Sequence, residues 1–230
     1  MNINLDNLLV GKITSIGQDA VQSGIDKHSV DHRLFLGLEG FAEDEQSDRR
    51  YHGGPEKAVH HYPFEHYNLW QEDIKDCEIL KKPGAFGENF STTGMDESNV
   101  SVGDVFKVGG ATLEVSQGRQ PCWKLNQRFA VTDMAKRVQQ TGRTGWYYRV
   151  IEEGYVEPGD LMCRIDRRSP EWTLSRLTKI LYIDTMNYDE LATVISLTHL
   201  TPSWRHRAEK RLKTRKVEDW SKRLEGDKSL

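Results

Sequence analysis

Short runs of alternating apolar and polar residues, each stopped by a glycine-containing turn, recur between residues 10 and 165 and constrain the fold more than any other feature. Residues 10–16 read as a first strand that ends at Gly17, and residues 30–36 as another, followed by Gly37-Leu38-Glu39-Gly40. Residues 57–62, 102–109, 113–116, 145–151 and 160–165 carry the same period. Two helical stretches interrupt them. One opens at Pro63, places Tyr67, Trp70, Ile74 and Cys77 on one stripe, and stops at Lys81-Lys82-Pro83-Gly84. The other is capped by Thr132, contains Met134, Ala135 and Val138, and stops at Gly142. This pattern predicts a mainly β, barrel-like closed sheet with a few helices rather than a βαβ fold. A GxGxxG fingerprint and a Walker loop are both missing, which disfavours dinucleotide binding and nucleotide hydrolysis.

From Trp172 the period changes to that of helices. Trp172, Leu174, Leu177, Ile180 and Leu181 form one stripe, Tyr188, Leu191 and Ile195 the next, and Trp204, Ala208 and Leu212 a third; Val217, Trp220 and Leu224 come after them. The chain therefore divides into a mainly β body, residues 1–168, and a small all-α extension, residues 169–230. The net charge is only −3, which argues against a chain built to coat nucleic acid, but residues 205–228 hold a surplus of five positive charges. Nucleic-acid binding would rest on that tail alone, where interleaved Glu and Asp also fit a solvated helix face. Three widely spaced cysteines make no CxxC pair and predict reduced thiols. With no basic leader and no long apolar run, a cytoplasmic protein without a membrane span is expected.

Four segments carry chemistry. Residues 113–125 read Leu-Glu-Val-Ser-Gln-Gly-Arg-Gln-Pro-Cys-Trp-Lys-Leu, where Gly118 and Pro121 end a strand and expose the residues beyond it. Cys122 then stands between Arg119 and Lys124, two cations that favour the thiolate, the form that attacks electrophiles and binds soft metals. Taken alone, the window fits a small buried cysteine equally well. Cys77, on a helical stripe, and Cys163, inside a strand, read as structural.

Residues 48–62 crowd Arg49, Arg50, His52, Lys57, His60 and His61 around Gly53-Gly54. Strand alternation from residue 57 puts Lys57, Val59 and His61 on one face, a floor suited to an anion, although a solvated basic loop reads the same way. Residues 23–27, Ser-Gly-Ile-Asp-Lys, present N–H groups and the Lys27 ammonium, as an anion-binding loop or an ordinary hairpin would. In residues 85–94, Asn89 is either a ligand contact or a turn residue.

Together these motifs resemble the MOSC domain, named for the C-terminal domain of molybdenum cofactor sulfurases. The resemblance rests on Ser23-Gly-Ile-Asp-Lys27, His52-Gly-Gly-Pro-Glu-Lys57-Ala-Val, Phe86-Gly-Glu-Asn89-Phe90, Val102-Gly-Asp104 and Ser116-Gln-Gly-Arg119-Gln-Pro-Cys122. The helical tail resembles the three-helix extension of a bacterial subgroup similar to the 6-N-hydroxylaminopurine reductase. Gln22 departs from the pattern, since a basic residue often precedes the small residue of the first motif in relatives. The resemblance implies a β-barrel-like fold and a pterin-based molybdenum cofactor whose metal is ligated by Cys122. Ser23, Lys27, His52, Gly53, Lys57, His61, Asn89, Ser116 and Arg119 are then the cofactor-binding candidates, with His52 or His61 as proton donor. The implied activity is reduction of N-hydroxylated bases and amidoximes to the amine. With no flavin, haem or iron–sulfur signature, electrons would come from a separate flavin reductase; a homodimer is compatible with all of this. The alternative is a cofactor or sulfur carrier without turnover of its own.

Overall fold

Residues Ala111–Gly118 are buried at every position, as a central strand covered on both faces must be. The computed structural model describes residues 1–226. Its strands, in chain order, are β1 (Asn2–Asn4), β2 (Asn7–Val10), β3 (Thr14–Ile16), β4 (Val21–Ser23), β5 (His28–Val30), β6 (Leu34–Gly37) and β7 (Gly40–Phe41). After them come β8 (Val59–Pro63), β9 (Phe90–Thr92), β10 (Asp104–Val108), β11 (Ala111–Gly118), β12 (Trp146–Glu152), β13 (Gly154–Val156) and β14 (Leu161–Arg167). The helices are α1 (Arg49–His52), α2 (Glu65–Asp73), α3 (Lys124–Phe129), α4 (Met134–Thr141), α5 (Leu174–Tyr182), α6 (Tyr188–Ser196), α7 (Pro202–Thr214) and α8 (Ser221–Glu225).

Nine strands form one curled sheet in the order β1-β14-β10-β11-β12-β8-β9-β2-β5. Only β8 and β9 run parallel within it; every other pair is antiparallel. Among the described residues β1 and β5 do not pair, so the curled sheet is a half-barrel, in keeping with the mainly β, barrel-like fold expected. The main core includes Leu8, Phe106, Leu113, Val115, Trp146 and Tyr148 from its strands. A second core of Tyr62, Tyr67, Trp70, Phe86, Leu125 and Val138 lies beneath α2, α3 and α4.

Several predicted boundaries move, each for a local reason. The run at residues 10–16 breaks at Gly11, whose N–H goes to Asp44 Oδ1 and whose Cβ, if present, would stand 2.5 Å from the Asp26 carbonyl oxygen. Residues 30–36 likewise split between β5 and β6. Pro63 closes β8 instead of opening a helix. The helix runs only from Glu65 to Asp73, and a separate 3-10 turn, Glu78–Lys81, carries the chain to Pro83. Thr132 caps nothing: the cap position of α4 is Asp133, whose carboxylate accepts from Arg137 Nε instead of a backbone N–H.

In the extension, Thr173 and Asn187 cap α5 and α6 by accepting from Arg176 N–H and Glu190 N–H, and Pro202 opens α7. Trp172, Leu177, Leu181, Leu191 and Trp204 form a third core, to which the body contributes Val102. The seam is also bonded through the backbone: Val102 N–H donates to Trp172 O at 3.1 Å, Leu174 N–H to Val100 O at 2.9 Å, and Thr201 N–H to Ser116 O at 3.1 Å. Glu114, on the face of β11 opposite Leu113 and Val115, accepts from Arg149 at 3.0 Å and Arg168 at 2.9 Å and faces His199 Nδ1 at 3.2 Å. No helix of the described residues is long and apolar enough to cross a membrane.

Candidate functional site

Where β11 ends at Gly118, the chain turns out over the end of the sheet and meets three other loops around a cleft open to solvent. The end of β4 brings Ser23, Gly24 and Lys27; the segment before α1 brings Glu45, Gln46 and Ser47; α1 ends on His52; the turn before β9 brings Phe86, Gly87 and Asn89. Lys57, His60, Arg119, Cys122, Lys124 and Tyr147 complete the wall. Gly24 is required there, since a Cβ would stand 1.9 Å from the Glu45 carbonyl oxygen.

Cys122 is half-buried, with Sγ 3.5 Å from His52 Nε2. Burial by itself raises the thiol. The hydrogen bond and charge of His52, the Arg119 guanidinium and the Lys124 backbone N–H outweigh that and bring Cys122 down to about 6, so the thiolate predominates at neutral pH. Lys124 thus acts through its backbone. Its ammonium is turned away, donating to Gln22 O at 2.9 Å and Ser47 Oγ at 2.7 Å. The role that the sequence credited to the Lys124 ammonium falls to the His52 imidazole.

The other cations differ in how they are held. Lys27 is buried and paired with Asp44 at 2.6 Å, while Asp44 also accepts from Gly11 N–H at 2.9 Å and Asn89 Nδ2 at 3.0 Å. Asp44 thereby neutralises Lys27 and ties three loops together. Asn89 also donates to Leu9 O at 3.1 Å and accepts from His60 N–H at 3.0 Å, so both its N–H groups are spent on the fold. Arg119 is buried, and its Nη1 has no hydrogen-bond partner. Lys57 donates to Tyr51 O at 2.5 Å; burial, then the nearby Arg207 charge, lowers its pKa against an opposing pull from Cys122.

His61 is not brought to the cleft. Residues Pro55–Lys57 form a 3-10 turn and the strand begins only at Val59, so Lys57 belongs to no strand face. His61 points into the main core, stacked on Trp146 at 4.3 Å, with Nδ1 3.1 Å from Tyr148 Oη and Nε2 2.9 Å from Thr92 Oγ1. Burial lowers its pKa to about 3, which leaves it neutral and unsuited to donate a proton at neutrality. His60 is the histidine on the wall; burial, then the Arg119 charge, pushes its pKa well down. Ser116 is fully buried behind the loop, donating to Glu56 O at 2.6 Å, and Gly53 is not part of the wall.

Asp44, His60 and Tyr147 are residues of the site that sequence reasoning missed as such. For Asp44 there was a usable signal: a lysine in a turn packed under glycines has to find a carboxylate once buried. Tyr147, whose phenol is raised by burial and pulled back by Arg119, sits one residue from the core-facing Trp146 and Tyr148 and so alternates onto the cleft.

A half-barrel that ends on a low-pKa thiolate among buried cations defines the class. The chain belongs to the MOSC-domain family: the MOSC domain matches residues 48–162. It is a member with a helical extension, since a YiiM-like, 3-alpha helix domain matches residues 172–215. A protein named YiiM from Escherichia coli is 38% identical over 220 residues, covering 96% of this chain and 97% of that protein. The crystal structure of YiiM from Geobacillus stearothermophilus has a TM-score of 0.78 at 33% identity, covering 91% of this chain and 99% of that one. A protein named as a reductase in Gibberella moniliformis is 36% identical over 178 residues, which is 77% of this chain and 32% of that longer protein.

Proposed function

We propose that the cleft holds a pterin-based molybdenum cofactor and that the chain reduces N-hydroxylated compounds, such as hydroxylaminopurines and amidoximes, to the amine. The observation that carries this reading is the Cys122 thiolate on a cleft wall that also holds an unpartnered, buried guanidinium nitrogen of Arg119. A soft anionic ligand for a metal and an open donor for an anion are what such a cofactor needs. The MOSC family is associated with that cofactor, and one relative is named as a reductase.

Cys122 Sγ would hold the metal, and Arg119, Lys57 and the Ser23–Gly24 backbone would hold the cofactor's phosphate. The cofactor supplies two electrons for cleavage of the N–O bond, a reaction that takes up two protons and releases the amine and water. The chain's own contribution is to exclude bulk water, orient the ligands and keep a proton at hand. His52 Nε2, which faces Cys122 Sγ, is the nitrogen we assign to that proton; Tyr147 Oη remains protonated beside it throughout the neutral range. Electrons would come from a separate flavin reductase, in the cytoplasm, to a chain that acts alone or as a homodimer.

The test is molybdenum content, by elemental analysis of protein purified from a cofactor-competent host, followed by turnover of a hydroxylaminopurine with an electron donor. Near-stoichiometric metal with turnover supports the reading. Metal without turnover turns it into a cofactor carrier, and protein free of molybdenum overturns it.

A further inference from the structure

The Cys122 loop is gripped from behind by the last helix of the extension. Arg223, in α8, donates Nη1 to the Pro121 carbonyl at 2.5 Å, and the Arg223 carbonyl accepts from Trp123 N–H at 2.7 Å. One residue, 102 positions beyond Pro121 in the chain, thus bonds the backbone on both sides of Cys122. The next residue extends the grip, since Leu224 O accepts from Asn126 Nδ2 at 2.8 Å. Arg223 is itself anchored: its Nη2 reaches Gln139 Oε1 in α4, and its guanidinium lies 5.4 Å from the Tyr182 ring centroid in α5.

The loop needs this support. Beyond Gly118 it leaves the sheet, and Arg119 N–H to Gly145 O, at 3.0 Å, is the last bond it makes to the sheet's flank. Gln120 is also tied to Arg207, and Cys122 to His52 through Sγ and to Leu125 N–H through its carbonyl, but the Pro121 backbone between them is held from Arg223, and a metal ligand or nucleophile that swings by even an ångström loses most of its effect. The clasp also lies past residues 172–215, the part of the extension matched to a known domain.

We propose that Arg223 is a positioning residue for Cys122, so that the helical extension is part of the site and not an appendage to it. This rests on the reading of Cys122 as the reactive centre, and the test separates the two. In the full-length apo protein, alkylation of Cys122 by iodoacetamide, located by peptide mass spectrometry, is monitored at about pH 9.5, where thiolate predominates and the rate reports placement and access. Cys77, which packs on the second core outside the cleft, is the internal control. Arg223→Ala should speed Cys122 alkylation about tenfold, the effect of losing one charge-assisted hydrogen bond, and leave the Cys77 rate unchanged. Arg223→Lys, which keeps a cationic donor for the Pro121 carbonyl, should come back to within about threefold of the wild-type rate. If Arg223→Ala does not fold, Arg223→Gln takes its place with the same expectation. An unchanged Cys122 rate overturns the proposal, as does equal acceleration of Cys122 and Cys77, which would mean general loosening. Full turnover by a metal-loaded Cys122→Ser protein would instead remove the functional reading and leave the clasp standing.

Discussion

Two clusters of buried charge lie along β11 and just beyond it, and they are built on opposite principles. At Glu114 a single buried carboxylate is shared among Arg149, Arg168 and His199, and Arg149 also bonds Glu56 at 2.6 Å. Its charges and donors answer one another within the protein. At the strand's end, Arg119, Lys57 and His52 gather around one small thiolate, and a guanidinium nitrogen is left without a partner. Burying cations with too few anions costs stability, so such a cluster persists only where something else will complete it. The first cluster fastens the extension to the sheet through His199; the second is where the proposed cofactor would bind.

The largest effect that this contrast predicts is at Cys122. Cys122→Ala should remove activity to background while leaving the fold intact, since the residue is half-buried and lines open space. Cys77→Ala and Cys163→Ala should keep activity. The pH dependence has a definite sign. Cys122 is more acidic folded than unfolded, so its ionisation adds stability above the ordinary thiol range, and that contribution is lost as the pH falls through about 6. Burial raises Cys77, so at pH 7 iodoacetamide should label Cys122 and spare Cys77. Equal labelling of the two would mean that the surrounding charges do not favour the Cys122 thiolate.

At the balanced cluster the expected effect is on folding and not on chemistry. Glu114→Gln leaves Arg149 and Arg168 facing a neutral amide, which should cost about 2–4 kcal/mol; the lower part of that range reflects the water that still reaches Arg168. Urea unfolding measures it. Molybdenum content per folded molecule should stay unchanged, and a loss of metal at full stability would show that the Glu114 cluster also serves the ligand.

Much of the unbalanced cluster was legible in the sequence because it stands where strand patterns break. Gly118 and Pro121 announce that Cys122 leaves the sheet, and Arg119 is close enough in sequence to be credited with its charge. The hidden part depended on phase and on distance. The alternation within β8 is as expected, but Pro55 starts a 3-10 turn that carries Lys57 out of the strand, so Lys57 meets His60 on the cleft while His61 goes into the core. Asp44 and Arg223 act on residues far away in the chain, through loops whose local composition looks merely solvated. The mainly β, barrel-like character was legible in the periodicity, whereas which strand edges pair is decided by long-range packing.

The middle of the scale is Lys57, whose ammonium is held near the cleft by Tyr51 O. Lys57→Ala removes a charge-assisted bond to the ligand's phosphate worth about 1.5–3 kcal/mol, so cofactor affinity should fall about tenfold or more. Titration with excess cofactor should restore the rate, which Cys122→Ala would not allow. A Lys57→Ala protein that is fully loaded and yet inactive would move Lys57 from binding to catalysis.

The smallest effect should come from adding charge where this chain lacks it. Gln22 is exposed at the edge of the cleft's first loop, beside Ser23, and its side chain bonds only Ser15 Oγ, while its carbonyl oxygen is what accepts from Lys124. Gln22→Arg keeps that carbonyl and adds a cation to a wall that already has too few anions. An exposed charge is worth about 0.5 kcal/mol in water, so cofactor should bind roughly twofold tighter at low salt. Because the gain is electrostatic and solvent-facing, it should shrink toward nothing near 1 M salt, where screening acts within about 3 Å. A gain that survives high salt would mean that the new guanidinium touches the phosphate directly, and the first loop would then count as an incomplete part of the site and not its rim.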